Sequence, residues 1–484
     1  MAKLYVFGIG GTGSRVIKAL TMLLASGVKL SNGFDTIVPI IIDPDTANGD
    51  LNKTADILIK YQNIYNEVGE NNNFFGTKIS TLNQLTDDNV SNLSNNFKFS
   101  VDGSGQKFGE SIDYNGLDEE NKALVDLLFS KENLEADMTV GFKGNPNIGS
   151  VILNKIVDSR EYREFTNSFD QGDAIFIISS IFGGTGASGF PLLLKNLRQV
   201  DTSVTNSDVI SKSSIGAVSY LPYFKVSDPE KGEKTIDSST FLSKAKAALS
   251  YYQHAIFENK SLDAFYHLGD HSNNNMPYAE GKDEQKNNAH FLEMSGALAI
   301  VDFVDSIKNL DHSIKEFGIE QDDQKLNFNS LGSKTKKQIN LPLSKFSLMQ
   351  RFLEKSKKQL LQSRGDFNNK IIKEDFYDSE FYQTNFLKFL NYFDQWLVEM
   401  DNNDVSFAPF HNRQDHDKIM DFIKGSSPKK GLLGITNHAK GDIIIRELNN
   451  LAKKGTYENE ETKASEFLKI FDTVLEEQVN NILN

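Results

Sequence analysis

The chain of 484 residues contains no cysteine and a single tryptophan. Without thiols there is no disulfide framework, no zinc ribbon and no cysteine nucleophile. Basic residues are in deficit: 52 Lys+Arg against 66 Asp+Glu give a formal net charge of −14. That balance argues against a general nucleic-acid binder, which needs basic patches to neutralise phosphate. Long apolar runs are missing too. The longest, Thr36 to Ile42 and Ala174 to Ile178, fall far short of the ~20 residues that span a bilayer, so no direct membrane insertion is expected. The amino terminus offers Lys3 and a short apolar run that breaks at once into Gly8-Ile9-Gly10-Gly11, which argues against a signal peptide. The expectation is a cytoplasmic protein.

What is present is an ordinary globular composition, 39% hydrophobic and 24% charged. The length suits two to four domains at roughly 100–200 residues each. In the first half, apolar runs alternate with helical patterns. Leu4 to Phe7 reads as a buried strand, and Val16, Ile17, Leu20, Leu23 and Leu24 recur at helical spacing before Gly27. Thr36 to Ile42, Ala174 to Ser179, Ile215 to Leu221 and Ala264 to Leu268 are further strands. Such alternation implies an α/β fold with a doubly wound, mostly parallel sheet. Residues 69–120 turn polar and read as a surface insertion. A central helix is expected over about 288–308. Beyond about 310 glycine becomes sparse and Leu, Phe, Lys and Gln dominate, so residues 311–484 read as a separate, helix-rich domain.

The chemistry lies in two glycine clusters, each between a strand and a helix: Gly8-Ile9-Gly10-Gly11-Thr12-Gly13-Ser14 and Phe182-Gly183-Gly184-Thr185-Gly186-Ala187-Ser188-Gly189. Glycine lets backbone approach a phosphate and adopt positive φ. Main-chain N–H groups and the dipole of the following helix then face the anion. An isolated loop of this kind is about as often a plain strand-to-helix turn. A P-loop needs Lys-Ser or Lys-Thr after its last glycine, and neither cluster has one. The first cluster does fit the dinucleotide fingerprint at Gly8, Gly10 and Gly13. Asp43 and Asp45 follow later than the usual ~20 residues, however, and a nicotinamide site leaves the second loop unexplained.

The second loop resembles the G-G-T-G-[ST]-G signature of the tubulin/FtsZ superfamily, with Ala187 inserted before Ser188-Gly189. Four further segments are similar to that family in order: the first cluster, Ile42-Asp43-Pro44-Asp45-Thr46, Gly144-Asn145-Pro146-Asn147-Ile148-Gly149, and Ser219-Tyr220-Leu221-Pro222-Tyr223. The resemblance covers residues 1 to about 310 as a nucleotide-binding domain. Sparse matching beyond that points to a divergent prokaryotic branch.

The resemblance implies GTP or GDP with Mg2+. It places phosphate contacts at Gly10, Gly11, Thr12, Gly13, Gly144, Asn145, Gly183, Gly184, Thr185, Gly186 and Ser188, with Asp43 and Asp45 near the metal, Asp45 through water. Asn288 (or Asn287) and Phe291 at the start of the central helix become candidates for the base, since an amide can donate and accept at once. In this family an acid after the central helix acts on the neighbouring subunit's nucleotide. Asp302 and Asp305 lie in Val301-Asp302-Phe303-Val304-Asp305, which is similar to the family's catalytic segment but follows Asn288 by only 14 residues, about half the helix length the family has before its acids; Asp311, Glu316 and Glu320 are the alternatives. Partners would be further copies of the chain, in a homo-oligomer or filament, besides an operon partner of unknown kind. The alternatives are a nucleotide-bound switch or scaffold without turnover and an NAD(P)-dependent oxidoreductase. His267, His271 and His290 do not share one helix face and make a poor metal set. Mass analysis of nucleotide released on denaturation is expected to yield GDP or GTP; NAD(P) would overturn the reading.

Overall fold

The structure, a computed structural model, describes residues 2–86, 97–99, 101–139, 141–142, 144–226, 238–270, 275–276, 287–317, 325–362, 374–411, 422–426, 441–454 and 461–483. The strands are β1 (Ala2–Ile9), β2 (Phe34–Ile42), β3 (Lys78–Ile79), β4 (Lys98–Phe99), β5 (Ala174–Ser180), β6 (Ser214–Tyr220), β7 (Lys225–Val226), β8 (Ala264–Leu268), β9 (Asn275–Met276), β10 (Ser313–Phe317), β11 (Lys325–Leu326) and β12 (Ser406–Phe407). One sheet runs β10-β8-β6-β5-β1-β2-β3, with β4 also paired to β2. Every pairing in it is parallel.

A parallel sheet needs helices on both faces, so its strands become apolar throughout. In β5, Ile175 and Ile177 face one core while Phe176 and Ile178 face the other. Helix α1 (Gly10–Ala25), helix α2 (Gly49–Val68) and the central helix (Phe291–Ser306) serve the second of these cores. Helices Pro146–Leu153, Arg160–Ser168 and Gly184–Arg198 cover the opposite face. The chain moves outward from β1 to β2 and β3, then returns to place β5 on the other side of β1. The switch point of this doubly wound sheet therefore lies between β1 and β5, and open α/β sheets bind ligands at the carboxyl ends of such strands.

The carboxyl-terminal part is largely helical, and it shares the core of the first half. The sheet itself extends past residue 310 to β10. Helices Ser333–Gln362, Leu387–Asp401 and Glu461–Leu483 pack on the α1–α2 side, and one apolar cluster runs from Leu4 to Ile482. The polar stretch from residue 69 contributes as well: Phe74 and Phe75 are fully buried, and β3 and β4 join the sheet. The Phe346 ring lies 5.3 Å from Phe74, 5.7 Å from Phe75 and 4.7 Å from Phe393. Among the described residues, no helix is long and apolar enough to cross a membrane.

Phe346→Ala opens a cavity where the two halves meet and is expected to cost roughly 3–5 kcal/mol. Urea unfolding should show one transition moving as a whole. Two transitions with only the later-unfolding one unmoved would indicate independent cores.

Candidate functional site: converging helix amino termini

Gly8 closes β1 against the first turn of α1. A Cβ on Gly8 would stand 2.9 Å from the carbonyl carbon and oxygen of Gly13, so strand and helix touch backbone to backbone. Gly10, at φ +72°, starts α1 and carries the chain through a left-handed turn; a Cβ there would lie 3.5 Å from Cβ of Thr185. The first and second glycine loops are thus in contact. A Cβ on Gly184 would lie 3.0 Å from the Gly144 nitrogen and 3.2 Å from that of Asn145, which brings the third loop to the same place. α1 and helices Pro146–Leu153 and Gly184–Arg198 all begin here, and none has a side-chain cap on its first turn. By contrast, Asn48 caps α2 by accepting from the N–H groups of Asp50 and Leu51. Three uncapped amino termini leave N–H donors and positive dipole ends at one spot, which is the chemistry of an anion site.

The side chains differ in availability. Thr185 and Asn145 are partly exposed. Thr12 is buried, and its hydroxyl accepts a 3.4 Å bond from Arg15. Ser188 donates to the Gly184 carbonyl at 2.7 Å, within its own helix, and abuts Gly149. Asp43 and Asp45 are buried just past β2, where the Asp45 N–H donates to Asp43 Oδ1 at 3.1 Å. Burial pushes the Asp43 carboxyl up to about 7, against the lowering effect of that backbone N–H.

Beneath the loops lies a charged network that sequence reasoning missed. Arg15 is 3% exposed, on a helix whose other buried side chains, Lys18 apart, are mostly apolar. Its guanidinium donates to Glu293 Oε1 at 2.5 Å, to Asp50 Oδ2 at 3.2 Å and to the Tyr223 hydroxyl at 2.9 Å. Burial opposes ionisation of Glu293, but the charges of Arg15 and Lys18 and the bond from Arg15 outweigh it and hold the carboxyl low. Desolvation lowers His290, whose Nδ1 accepts from the Leu292 N–H at 3.1 Å and caps the central helix. Glu399 accepts from the Ala289 N–H at 2.9 Å and from Lys53 at 3.0 Å. The one sequence signal was an arginine and a lysine, Arg15 and Lys18, set in an otherwise apolar helical stripe.

The remaining candidates spread apart. Asn288 is exposed beside the site, whereas the Asn287 amide donates to Asp50 at 3.1 Å. Phe291 is buried and stacked on Phe407, with centroids 5.4 Å apart. Next to the second loop stand other rings: Phe224 is 5.4 Å from Phe182 and 5.0 Å from Tyr223. Asp302 and Asp305 occupy the far end of the central helix. Asp302 accepts from Lys315 (2.7 Å), Lys334 (2.6 Å) and Tyr266 (2.8 Å). Burial raises its carboxyl, but these bonds prevail and hold it below the usual range. Asp305 accepts from Ser31, ahead of β2, and from Gln338. Glu316 lies on edge strand β10, while Glu320 and His271 fall outside the described residues. Among the described residues, no group of three or more acidic or histidine side chains is arranged to hold a metal ion unaided.

The raised Asp43 pKa sets a pH dependence for the ligand-free protein. A folded value above the ordinary 3.8 means the neutral acid is favoured on folding. That stability is fully present below pH 3.8 and is lost as pH rises through about 7. Asp43→Asn should therefore flatten the curve. Relative to the variant, the wild type is expected to lose roughly 2–3 kcal/mol between pH 5 and pH 8 in urea titrations, at ~1.4 kcal/mol per unit. Parallel curves would contradict this.

No family model matches the chain, and no curated protein matches it in sequence. Among solved structures it is similar to CetZ2 from Haloferax volcanii in a GTPγS-bound protofilament, at 12% identity and a TM-score of 0.30, over 63% of this chain and 59% of that one. It is similar to CetZ1 from Haloferax volcanii, a GDP-bound monomer, at 13% identity and a TM-score of 0.28, over 63% and 58%. An empty FtsZ dimer from M. jannaschii gives 16% identity and a TM-score of 0.27, over 64% and 54%. The chain matches less than two thirds of the length of each of these proteins.

Proposed function

We propose that this chain is a divergent tubulin/FtsZ-like protein that binds GTP or GDP with Mg2+ at the carboxyl edge of its sheet. The observation that carries the reading is the meeting of three uncapped helix amino termini at the switch point, on the loops whose motifs resemble that family. Main-chain N–H groups of Gly10 to Gly13 and Gly183 to Gly186 receive the phosphates, Thr185 adds a hydroxyl, and the Gly144–Asn145 turn, whose Asn145 N–H is already given to the Phe142 carbonyl at 2.7 Å, lies against them with its Asn145 side chain partly exposed. Mg2+ is held chiefly by phosphate oxygens and water. Asp43 and Asp45 would help hold it through water, and its charge would draw the Asp43 proton off. Asn288 is the residue left free to read the base.

Self-assembly follows from polarity. The central helix starts at Phe291, so Asp302 and Asp305, 11 and 14 residues on, stand about 17 and 21 Å along the axis from its start. They cannot reach the phosphates of their own subunit, but a head-to-tail neighbour would bring its Asp302 and Asp305 to them, and such heterologous contacts extend into filaments. A second reading, a switch without turnover, is favoured by the two lysines that already occupy Asp302. Phosphate release against protein concentration separates the two. Under assembly-driven turnover it should rise more steeply than linearly. Asp302→Asn should then lower release at least tenfold while GTP affinity stays within a factor of two. No release at any concentration selects the switch, and no GTP binding at all rejects both.

A further inference from the structure

The lead-in to the central helix, residues 287–290, has no regular secondary structure. Such a segment cannot satisfy its own N–H groups. Here buried carboxylates from three helices take them. The Asn287 N–H donates to Asp50 Oδ1 at 3.1 Å, and the Asn287 side-chain amide donates to Asp50 Oδ2 at 3.1 Å. The Ala289 N–H donates to Glu399 Oε2 at 2.9 Å, and the His290 N–H to Glu293 Oε2 at 3.1 Å. The Ala289 carbonyl in turn accepts from the Asn403 amide at 2.7 Å. Glu293 is local to the central helix, but Asp50 stands at the start of α2 and Glu399 in helix Leu387–Asp401. A helix start needs one cap, and His290 supplies it. The two distant acids do something else: they fix the backbone on either side of Asn288, which is exposed.

We infer that Asp50 and Glu399 are positioning residues that hold Asn288 in its binding pose before a nucleotide arrives, so that helix Leu387–Asp401 helps to set recognition of the base. The inference rests on the proposed nucleotide site. Buried acids this close together repel unless cations stand between them. Arg15 lies 3.2 Å from Asp50, Lys53 3.0 Å and Lys18 3.8 Å from Glu399. The clamp is therefore charge-balanced and stays put. It is also tied to the glycine loops. A Cβ on Gly11 would lie 3.4 Å from Nη1 of Arg15, the nitrogen that engages Asp50. The Tyr223 hydroxyl accepts from Arg15 at 2.9 Å, and its ring meets that of His290 edge-on at 5.1 Å. Residue 288 thus has a fixed place relative to the first loop. Ordering a loose segment upon binding weakens affinity, and a segment ordered in advance avoids that loss. The gain concerns the base alone, because the phosphate tail meets other loops.

Equilibrium binding of GTP and of inorganic tripolyphosphate, each with Mg2+, separates base from tail. The wild type should bind GTP at least tenfold tighter than tripolyphosphate. Asp50→Ala should weaken GTP at least tenfold and leave tripolyphosphate within a factor of two. Asn288→Ala should weaken GTP likewise, and adding Asp50→Ala to it should lose less than a further threefold, since the residue acted upon is then gone. Glu399→Gln has one side-chain oxygen to share between the Ala289 N–H and Lys53, and should weaken GTP at least threefold with tripolyphosphate unmoved. It carries the test if circular dichroism shows Asp50→Ala to be unfolded. Losses that multiply in the double variant overturn the inference and leave the nucleotide site standing. So do equal losses for both ligands, or a Glu399→Gln variant that binds GTP as the wild type does. A wild type that binds GTP no tighter than tripolyphosphate also overturns it, and one that binds neither rejects the proposed function with it.

Discussion

A parallel sheet forces every strand-to-helix connection at its carboxyl edge to start a helix there, and a helix start is a set of unpaired N–H donors. The rest of this molecule is arranged around that constraint. Most proteins answer it with Ser, Thr, Asp or Asn caps, and α2 does so through Asn48. Three other helices, beginning at Gly10, Pro146 and Gly184, leave it unanswered where they meet. The glycines make the meeting possible. Gly8 and Gly13 let strand and helix touch, and Gly10 and Gly184 let the loops touch one another.

Directly below, the fold buries charge. Arg15, Asp50 and Glu293 leave water together, which costs several kcal/mol per ion unless geometry and hydrogen bonds compensate. Here they do, because Tyr223, Thr12 and main-chain N–H groups fill the remaining valences. The network joins α1, the start of α2 and the start of the central helix, and Glu399 extends it to the carboxyl-terminal helices through Ala289 and Lys53. The floor beneath the glycine loops and the helical half of the chain are therefore packed as one piece. The helical character read from residues 311–484 is present, and its helices contribute to the same apolar cluster as the first half.

The glycine loops were legible because their information is local. A turn that needs positive φ or close backbone approach can be read from the residues that make it, and a strand followed by glycines followed by a helical stripe has few other solutions. The candidates for reading a base were less legible. Phe291 reads as a free aromatic at a helix start, but only packing decides that Phe407 lies over it. Asn287 and Asn288 are equivalent in sequence; Asp50, far away along the chain, engages one and leaves the other exposed. Asp302 and Asp305 carry the same lesson, since lysines 13 and 32 residues further on close around Asp302.

By itself, then, the sequence determined the class of fold, the turns at the carboxyl ends of β1 and β5, and the absence of thiol chemistry, because strand period, glycine and composition act at short range. Only the tertiary structure decided that those turns share one site, that Phe74, Phe75 and the last helix complete the first core, and which polar side chains remain free. Those outcomes depend on which surfaces meet across hundreds of residues, and a contact of that kind leaves no mark in the local pattern.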